Sequence, residues 1–157
     1  MVTRVGPMWG GSGDGFVRCS DGHVRWGRFG AAGVLFVVRA TEGPLVMLQQ
    51  RSAMAHEGGT WSCAGGAIDE GESAYDAALR EASEEVGDIP AKHRVLGQYV
   101  FAPADDWTYT TLVVEVDQTS VDKVLAKDKR LGGAIRTPFF YIKIKSCSKS
   151  HAFVEAI

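Results

Sequence analysis

The sequence lacks the residues and patterns that mark several classes of protein. Its three cysteines, at positions 19, 63 and 147, include no Cys-x-x-Cys pair. An odd number of cysteines without paired spacing argues against a disulfide framework and against a zinc ribbon. No apolar run approaches the ~20 residues of a transmembrane helix, and the N-terminal residues lack the charged-then-apolar pattern of a signal peptide. We therefore expect a cytoplasmic protein with reduced cysteines and no membrane association.

Lysine is scarce in most of the chain, since Lys92 is the only one before position 120. Residues 1–120 carry 9 Lys and Arg against 16 Asp and Glu, a charge of −7, whereas residues 121–157 carry 8 against 3, a charge of +5. This break predicts one domain with a flexible glycine-rich leader (1–14), a core (15–120) and an atypical C-terminal segment (121–157). The tail has no aromatic residues interleaved with its lysines on a surface motif, and the acidic remainder would repel a phosphate backbone, so we expect no nucleic-acid partner.

One amphipathic helix is predicted within residues 65–87, which read GGAIDEGESAYDAALREASEEVG. Ser73 is a good N-cap, Asp76 follows at capping-box spacing and Gly87 is suited to end a helix, so the helix should span Ala74–Val86. At about 100° per residue, the helix has one apolar stripe and one acidic face. The stripe contains Tyr75, Leu79, Ala82 and Val86, and the acidic face contains Glu81, Glu84 and Glu85.

The three glutamates repel one another, because like charges three and four positions apart on a helix are unfavourable. Their oxygen atoms suit a hard divalent cation, Mg²⁺ or Mn²⁺, better than Zn²⁺, which recruits His or Cys. Arg80 lies beside this face and can orient a carboxylate, and the Gly65-Gly66 pair allows a carbonyl oxygen to reach a metal. The alternative is a solvated acidic face that binds nothing.

Apolar runs predict the strands of a sheet. A hairpin is expected from residues 16–18 and 24–26, around the turn signal at residues 20–22. The runs at 33–39 and 44–51 are apolar on both faces, which implies a sheet covered on both sides. Further strands are predicted at 95–102, 109–116 and 139–145, and a short helix at 120–129.

Several residues outside the helix are candidates for substrate binding. His56, in the loop 52–60, can bind phosphate, move a proton or be an ordinary loop histidine. Trp61 can stack on a base or pack in the core, and Trp107 and Tyr109 allow the same two interpretations. The remaining substrate-binding candidates are Arg51, Asp105 and Asp106.

The helical stretch resembles the Nudix box, G-x5-E-x7-R-E-U-x-E-E-x-G-U, in which U is a bulky aliphatic residue. Every glycine and charged position is present at the right spacing, whereas Ala82 at the first U is small and Asp88 stands at the last. Ile89 can supply that packing one residue later, and Ala64 replaces the usual proline. The matching positions are Gly66, Glu72, Arg80, Glu81, Glu84, Glu85 and Gly87.

The resemblance implies an α/β fold, with a mixed β-sheet sandwiched between helices, and a Mg²⁺-dependent hydrolase in which Mn²⁺ can substitute. It implies that Glu81 or Glu84 handles the attacking water, and that Arg80 and Glu72 fix the orientation of the ligands. The implied metal ligands are Glu81, Glu84, Glu85 and the carbonyl oxygen of Gly66. An additional acid beyond the box often serves this family as a ligand or base, and the candidates are Asp105, Asp106 and Glu115.

The activity expected from the resemblance is cleavage of the diphosphate linkage in a nucleoside diphosphate joined to a second group, a small-molecule substrate. Pro103, 15 residues past Asp88, shifts the expectation slightly toward ADP-ribose or a nucleotide sugar and away from a nucleoside triphosphate. The alternative is a catalytically silent Nudix-fold protein that binds nucleotides or regulates a partner. The full set of acids argues against this alternative, because a silent site has no evident need for three repelling carboxylates.

The last part of the family fold, a strand, a loop and a second helix, does not align with residues 121–157. Two explanations are open: the native closure has diverged, or a frame change or cloning has altered the tail. If the second face of the sheet is uncovered, its apolar surface predicts a homodimer or poor solubility.

Overall fold

The computed structural model describes residues 10–41, 43–50, 60–117, 119 and 139–143. Its strands and helix, in chain order, are β1 (Phe16–Arg18), β2 (Val24–Trp26), β3 (Ala31–Ala40), β4 (Gly43–Gln50), β5 (Trp61–Ser62), β6 (Ala64–Ala67), α1 (Ala74–Val86), β7 (His93–Ala104), β8 (Trp107–Val116) and β9 (Phe139–Lys143).

Seven of the described strands form a mixed sheet around β3. The order is β5-β4-β3-β8-β7, with β6 also paired to β3 and β9 to β4. The β3–β8 pair is parallel, and the other pairs are antiparallel. The predicted α/β fold with a mixed sheet is confirmed. Among the described residues α1 is the only helix with defined bounds, and the short helix predicted at 120–129 lies outside them.

Helix α1 has the predicted bounds. The Ser73 hydroxyl oxygen accepts from the Asp76 backbone N–H at 3.1 Å, and the same hydroxyl donates to Asp76 Oδ2 at 2.7 Å. At the other end Gly87 has φ +92° and its N–H donates to Ser83 O at 3.0 Å. A left-handed φ of this kind favours glycine, which explains why the helix ends there.

The predicted apolar stripe of α1 is partly wrong. Tyr75 is 43% exposed, and Leu79 is only partly buried at the edge of the core. The residues that face the sheet are instead small or branched: Ala77, Ala78, Ala82 and Val86. Because alanine occupies little volume, the helix can approach the sheet closely with this face, whereas a tyrosine would hold it away.

Both faces of β3 are buried, as its apolar sequence predicted. Alternate residues from Ala32 to Val38 pack against α1 in the main core. The opposite face contributes Val37 to a second cluster with Val46 and Leu48. This alternation follows from the two-residue period of a strand.

The hairpin β1–β2 matches its prediction and packs beside the sheet. Val17 and Cys19 contact Ala31 and Trp107 in a third apolar cluster. The Ser20 N–H, in the hairpin turn, donates to the Asp106 carboxylate at 2.9 and 3.1 Å, which fastens this turn to the β7–β8 turn. Cys19 and Cys63 are both free thiols, whereas Cys147 lies outside the described residues.

Strand β7 is longer than predicted and forms an edge of the sheet. It spans His93–Ala104, with register shifts between Val95 and Gly97 and between Phe101 and Ala104. Pro103 lies at the second shift, where a residue that cannot donate a ladder hydrogen bond is tolerated. In the part of the chain that the structure describes, no helix is both long and apolar enough to cross a membrane.

Candidate functional site

Arg80, in the middle of α1, joins two glutamates of the site. Its Nε and Nη2 atoms donate to Glu72 Oε1 at 2.9 Å and Oε2 at 2.8 Å. Its Nη1 donates to Glu81 Oε1 at 2.8 Å, and Nη2 also donates to Ala67 O at 3.0 Å. The Glu72 side chain is only 1% exposed, whereas that of Arg80 is 28% exposed, so the glutamate of this two-pronged ion pair is shielded from solvent. The guanidinium therefore holds the Glu81 carboxylate in one orientation.

The surroundings shift the pKa values of the two glutamates in opposite directions. Hydrogen bonds from Arg80 hold the pKa of Glu72 below its ordinary value although burial opposes them. Burial raises the pKa of Glu81 and outweighs its hydrogen bond to Arg80. A carboxylate with a raised pKa is a better proton acceptor, so Glu81 is the more suitable of the two to act as a base.

Glu81 lies against the backbone of β6 at Gly66. A Cβ atom at position 66 would clash with the Glu81 carboxylate, coming to 2.5 Å from its Cδ and 2.8 Å from its Oε1. Gly66 pairs with Ala32 in the register of β3 and β6, and Ala32 is on the face that packs against α1. Glycine at this position is thus what allows the carboxylate to approach the strand.

Glu85 and Glu84 occupy different surroundings. Glu85 Oε2 accepts from the Gly65 N–H at 3.0 Å and from Gln49 Nε2 at 2.7 Å. The Glu84 side chain is 59% exposed, and its Oε1 is 3.6 Å from Arg80 Nη1. The structure therefore brings Glu81 and Glu85 to the Gly65-Gly66 backbone and leaves Glu84 on the outer surface of the helix.

A cavity with a volume of about 780 Å³ adjoins these glutamates. Glu81, Glu85 and Asp14 supply acidic lining, and the Gly65-Gly66 backbone lies beside them. Its aromatic lining comes from Trp26, Phe101, Trp107 and Tyr109. This volume is within the range of small-molecule sites, and the lining combines an acidic part with an apolar part.

The chemistry of the acidic part fits a hard divalent cation. Glu81 and Glu85 present carboxylate oxygens beside a backbone that can add a carbonyl oxygen, and such all-oxygen sets suit Mg²⁺ or Mn²⁺. Within residues 10–41, 43–50 and 60–117, no three His, Cys, Asp or Glu side chains converge as a complete metal site. Glu84 is three residues from Glu81 and so is its neighbour on the helix surface. A three-glutamate ligand set would therefore require its side chain to rotate toward the cavity.

A segment near the N-terminus fastens the loop that carries Glu72. The Gly13 N–H donates to Asp69 Oδ1 at 2.8 Å, and the Gly11 N–H donates to Glu70 Oε2 at 3.0 Å. A Cβ atom on Gly13 would clash with the Ile68 carbonyl oxygen. Residues 10–14 of the predicted leader therefore contact the loop before α1. Residues 1–9 lie outside the described part. The division of the chain into leader, core and tail stays a prediction.

The other predicted substrate-binding residues differ in their placement, and among the described ones only Trp107 and Tyr109 line the cavity. Trp61 packs against the second apolar cluster, beside Val46 and Leu48, and is not part of the cavity lining. Trp107 lines the cavity but is only 8% exposed, and its Nε1 donates to Gly27 O at 3.1 Å. Arg51 and His56 lie outside the described residues.

The three candidates for an additional acid beyond the box lie away from the glutamates of α1. Asp106 accepts the hydrogen bonds from Ser20 described above, and Asp105 is exposed in the same turn. Glu115 accepts from Arg39 Nε at 2.6 Å. It is six residues along β8 from Tyr109, about 20 Å at the rise of an extended strand. None of the three lines the cavity that holds Glu81.

The close approach of the Tyr109 hydroxyl to Gly33, behind the cavity lining, was not predicted from the sequence. A Cβ atom on Gly33 would come to 2.5 Å from the Tyr109 hydroxyl and 2.6 Å from Ala64 O. The same hydroxyl is 3.6 Å from Cys63 Sγ. A glycine inside an apolar strand pattern is the signal that could have indicated this close approach.

Comparison with known proteins agrees with this arrangement. The NUDIX domain family model matches residues 28–138. "Putative 8-oxo-dGTP diphosphatase 3" of Mycobacterium tuberculosis is 42% identical over 114 residues, which are 69% of this chain and 52% of that protein. The "Nucleoside triphosphate pyrophosphatase/Nudix hydrolase fusion protein" of Bifidobacterium longum is 42% identical over 103 residues, 64% of this chain and 21% of that protein. The chain thus spans about half the length, or less, of these relatives.

A solved structure extends the agreement to the fold. The crystal structure of RenU, a Nudix hydrolase from M. smegmatis, matches with a TM-score of 0.63 and 29% identity, over 82% of this chain and 79% of RenU. The family model covers most of the chain and includes the box helix, the arginine that orients Glu81 and the glycine against which Glu81 lies. The chain therefore belongs to the Nudix family.

Proposed function

We propose that the chain is a Mg²⁺-dependent hydrolase that cleaves the diphosphate linkage of a nucleoside diphosphate joined to a second group. The observation that carries the proposal is the position of Glu81, which Arg80 orients at 2.8 Å and which lies against Gly66 in a cavity with Glu85. A purely solvated acidic face would not require a buried Glu72 that pairs with Arg80 behind it. The alternative, a solvated acidic face that binds nothing, is therefore less consistent with these contacts.

Glu81, Glu84, Glu85 and the carbonyl oxygen of Gly66 are the residues that would hold the cation. When bound, a divalent cation neutralises phosphate oxygens and makes a water molecule easier to deprotonate. The role of Glu81 is to accept a proton from the attacking water, because Arg80 holds this carboxylate beside Gly66 in the cavity. Arg80 and Glu72 keep the Glu81 carboxylate in position during this transfer.

Two observations bear on the substrate. The relative from M. tuberculosis is named as an 8-oxo-dGTP diphosphatase, which favours a purine nucleoside triphosphate. Pro103 favours ADP-ribose or a nucleotide sugar, but its place at a register shift of β7 gives this proline a structural reason. We therefore put an oxidised or ordinary purine nucleoside triphosphate first and ADP-ribose second.

The test is hydrolysis of 8-oxo-dGTP, dGTP, ADP-ribose and UDP-glucose by the wild type and by the Glu84→Gln and Glu85→Gln variants, with Mg²⁺, Mn²⁺ or EDTA. Each variant replaces a charged ligand with a neutral one of similar shape and should lose most of kcat while keeping its fold. Asp88→Asn is the matched control, because Asp88 is exposed just beyond α1. Unchanged hydrolysis in both glutamate variants would contradict the ligand assignment.

A catalytically silent nucleotide-binding protein is the competing function. It predicts that the wild type binds these nucleotides in the presence of Mg²⁺ but releases no product from any of them. A wild type that hydrolyses even one substrate in a Mg²⁺-dependent manner excludes this alternative.

A further inference from the structure

Two aromatic side chains are exposed within the cavity that holds Glu81 and Glu85. Trp26 is 41% exposed and Phe101 is 51% exposed, and both line this cavity. They come from different sheets, since Trp26 is on β2 of the hairpin and Phe101 is on β7 at the edge of the main sheet. We propose that Trp26 and Phe101 form a clamp that stacks on the nucleobase of the substrate; this rests on the proposed function.

The other two aromatic residues of the cavity have contacts that fix them in place. The Arg25 guanidinium lies 5.4 Å from the centre of the Trp107 ring, and the Trp107 indole N–H is bonded to Gly27 O. The Tyr109 hydroxyl lies close to Gly33 and to Cys63 Sγ. Trp107 and Tyr109 therefore build the wall, and the most accessible aromatic surface belongs to Trp26 and Phe101.

Trp26 is held in place for such a role. The Phe16 ring lies edge-on to the Trp26 ring, with centroids 5.0 Å apart and an interplanar angle of 77°. Phe16 and Trp26 are also direct partners in the β1–β2 register. A T-shaped neighbour restricts the motion of the indole, which lowers the entropy lost when a base stacks on it.

The register of the main sheet gives the backbone separation between Phe101 and the strand that Glu81 contacts. Ala67, Ala31, Tyr109 and Phe101 lie side by side across β6, β3, β8 and β7. Three strand spacings of about 4.8 Å separate the ends of this row by about 14 Å. Gly66, against which Glu81 lies, is next to Ala67 at one end, and Phe101 is at the other. This separation is comparable with the length of an extended nucleoside diphosphate, so a base at Phe101 can place its phosphates at the glutamates.

Exposed aromatic residues outside the cavity provide matched controls. Tyr99 is 65% exposed on the same strand as Phe101, and Phe29 is 47% exposed after β2. Neither belongs to the cavity lining. Leucine variants keep an apolar side chain but remove the aromatic face. Trp26→Leu and Phe101→Leu should therefore differ from Tyr99→Leu and Phe29→Leu if stacking is the cause.

The experiment measures equilibrium binding by isothermal titration calorimetry, with Mg²⁺ present. The probes are the α,β-methylene analogues of dGTP and ATP, which resist cleavage at this linkage, and methylenediphosphonate, which has no base. We expect Trp26→Leu and Phe101→Leu each to weaken binding of the nucleotide analogues by roughly 5- to 100-fold, the range typical of base stacking on one aromatic side chain. Binding of methylenediphosphonate should change less than about twofold, since it lacks a base to stack. Far-ultraviolet circular dichroism checks that each variant folds.

Three results would overturn the clamp. They are unchanged affinity for both nucleotide analogues, an equal loss for the base-free probe, and an equal loss in the Tyr99→Leu or Phe29→Leu controls. Hydrolysis by the wild type, measured separately, distinguishes this inference from the proposed function. A base-dependent loss of affinity without any wild-type hydrolysis supports the clamp and refutes the enzyme, whereas hydrolysis with unchanged affinities does the reverse.

Discussion

Replacing Gly66 with alanine perturbs the site at the contact on which the proposed chemistry depends. The added Cβ would come to 2.5 Å from Glu81 Cδ, and ordinary contacts begin at 3.4 Å. Glu81 Oε2 would be closer still, so the carboxylate must retreat by about 1 Å. This movement would also disturb the 2.8 Å hydrogen bond between Glu81 Oε1 and Arg80 Nη1.

The size of the effect follows from that displacement. A reacting group moved by about 1 Å can lose about 10²-fold in rate, equivalent to about 2.7 kcal/mol in the activation free energy. Stability should change far less, because the atoms that must move are at the far end of a side chain. We expect the free energy of unfolding to fall by less than about 1 kcal/mol.

Steady-state kinetics and urea unfolding of the same Gly66→Ala preparation separate these two effects. Gly97→Ala is the control, since a Cβ atom on Gly97 meets nothing within 4 Å and its φ is not in the positive range. We expect kcat to drop about 100-fold in Gly66→Ala and to stay unchanged in Gly97→Ala. A wild-type kcat in Gly66→Ala would refute the inference that the position of Glu81 is critical.

Three further predictions concern the elements that support Glu81. Glu72→Gln removes the charge of a 1% exposed side chain that faces Arg80, so the free energy of unfolding, measured in urea, should fall by about 2–3 kcal/mol. Because the folded pKa of Glu72 is below its ordinary value of 4.5, its stabilising effect is complete above that pH and is lost as pH falls through the folded value. Acid unfolding should thus be less pH-dependent in Glu72→Gln, and an identical slope would contradict the assigned linkage. Ala82→Leu places the bulky aliphatic of the family pattern at a residue that is 0% exposed, so it should destabilise the protein by about 1–3 kcal/mol in thermal unfolding.

The local features of α1 could be predicted because sequence spacing alone determines them. A capping serine and a terminal glycine fix the bounds, so Ala74–Val86 was correct at both ends. The helical period placed Glu81, Glu84 and Glu85 on one side. It did not reveal that Glu81 and Glu85 would contact β6 and Glu84 would not, because that difference depends on where the strand lies.

The remaining parts of the candidate site depend on contacts between residues distant in sequence. The hairpin β1–β2 was predicted, but nothing local indicates that its Trp26 lines a cavity with Phe101. These two residues line the same cavity because Arg25 and Ser20 of the hairpin contact Trp107 and Asp106 of the main sheet. Such anchoring follows from tertiary packing, which a pattern of turns and strands does not encode.

Small residues lie at the contact between α1 and the sheet. One of them, Ala82, is the main departure from the family pattern, and it affects how closely Glu81 approaches β6. Ala82 stands where a bulky aliphatic residue is usual, and it is completely buried together with Ala77 and Ala78. Gly66 is equally small on the facing strand, and there the Glu81 carboxylate lies so close that a single added methyl group would displace it. A larger residue at position 82 would move the helix outward and with it Glu81, since both are on the same element. Alanine at this position is therefore matched to glycine at position 66: together they set how closely the acidic helix approaches the backbone of β6.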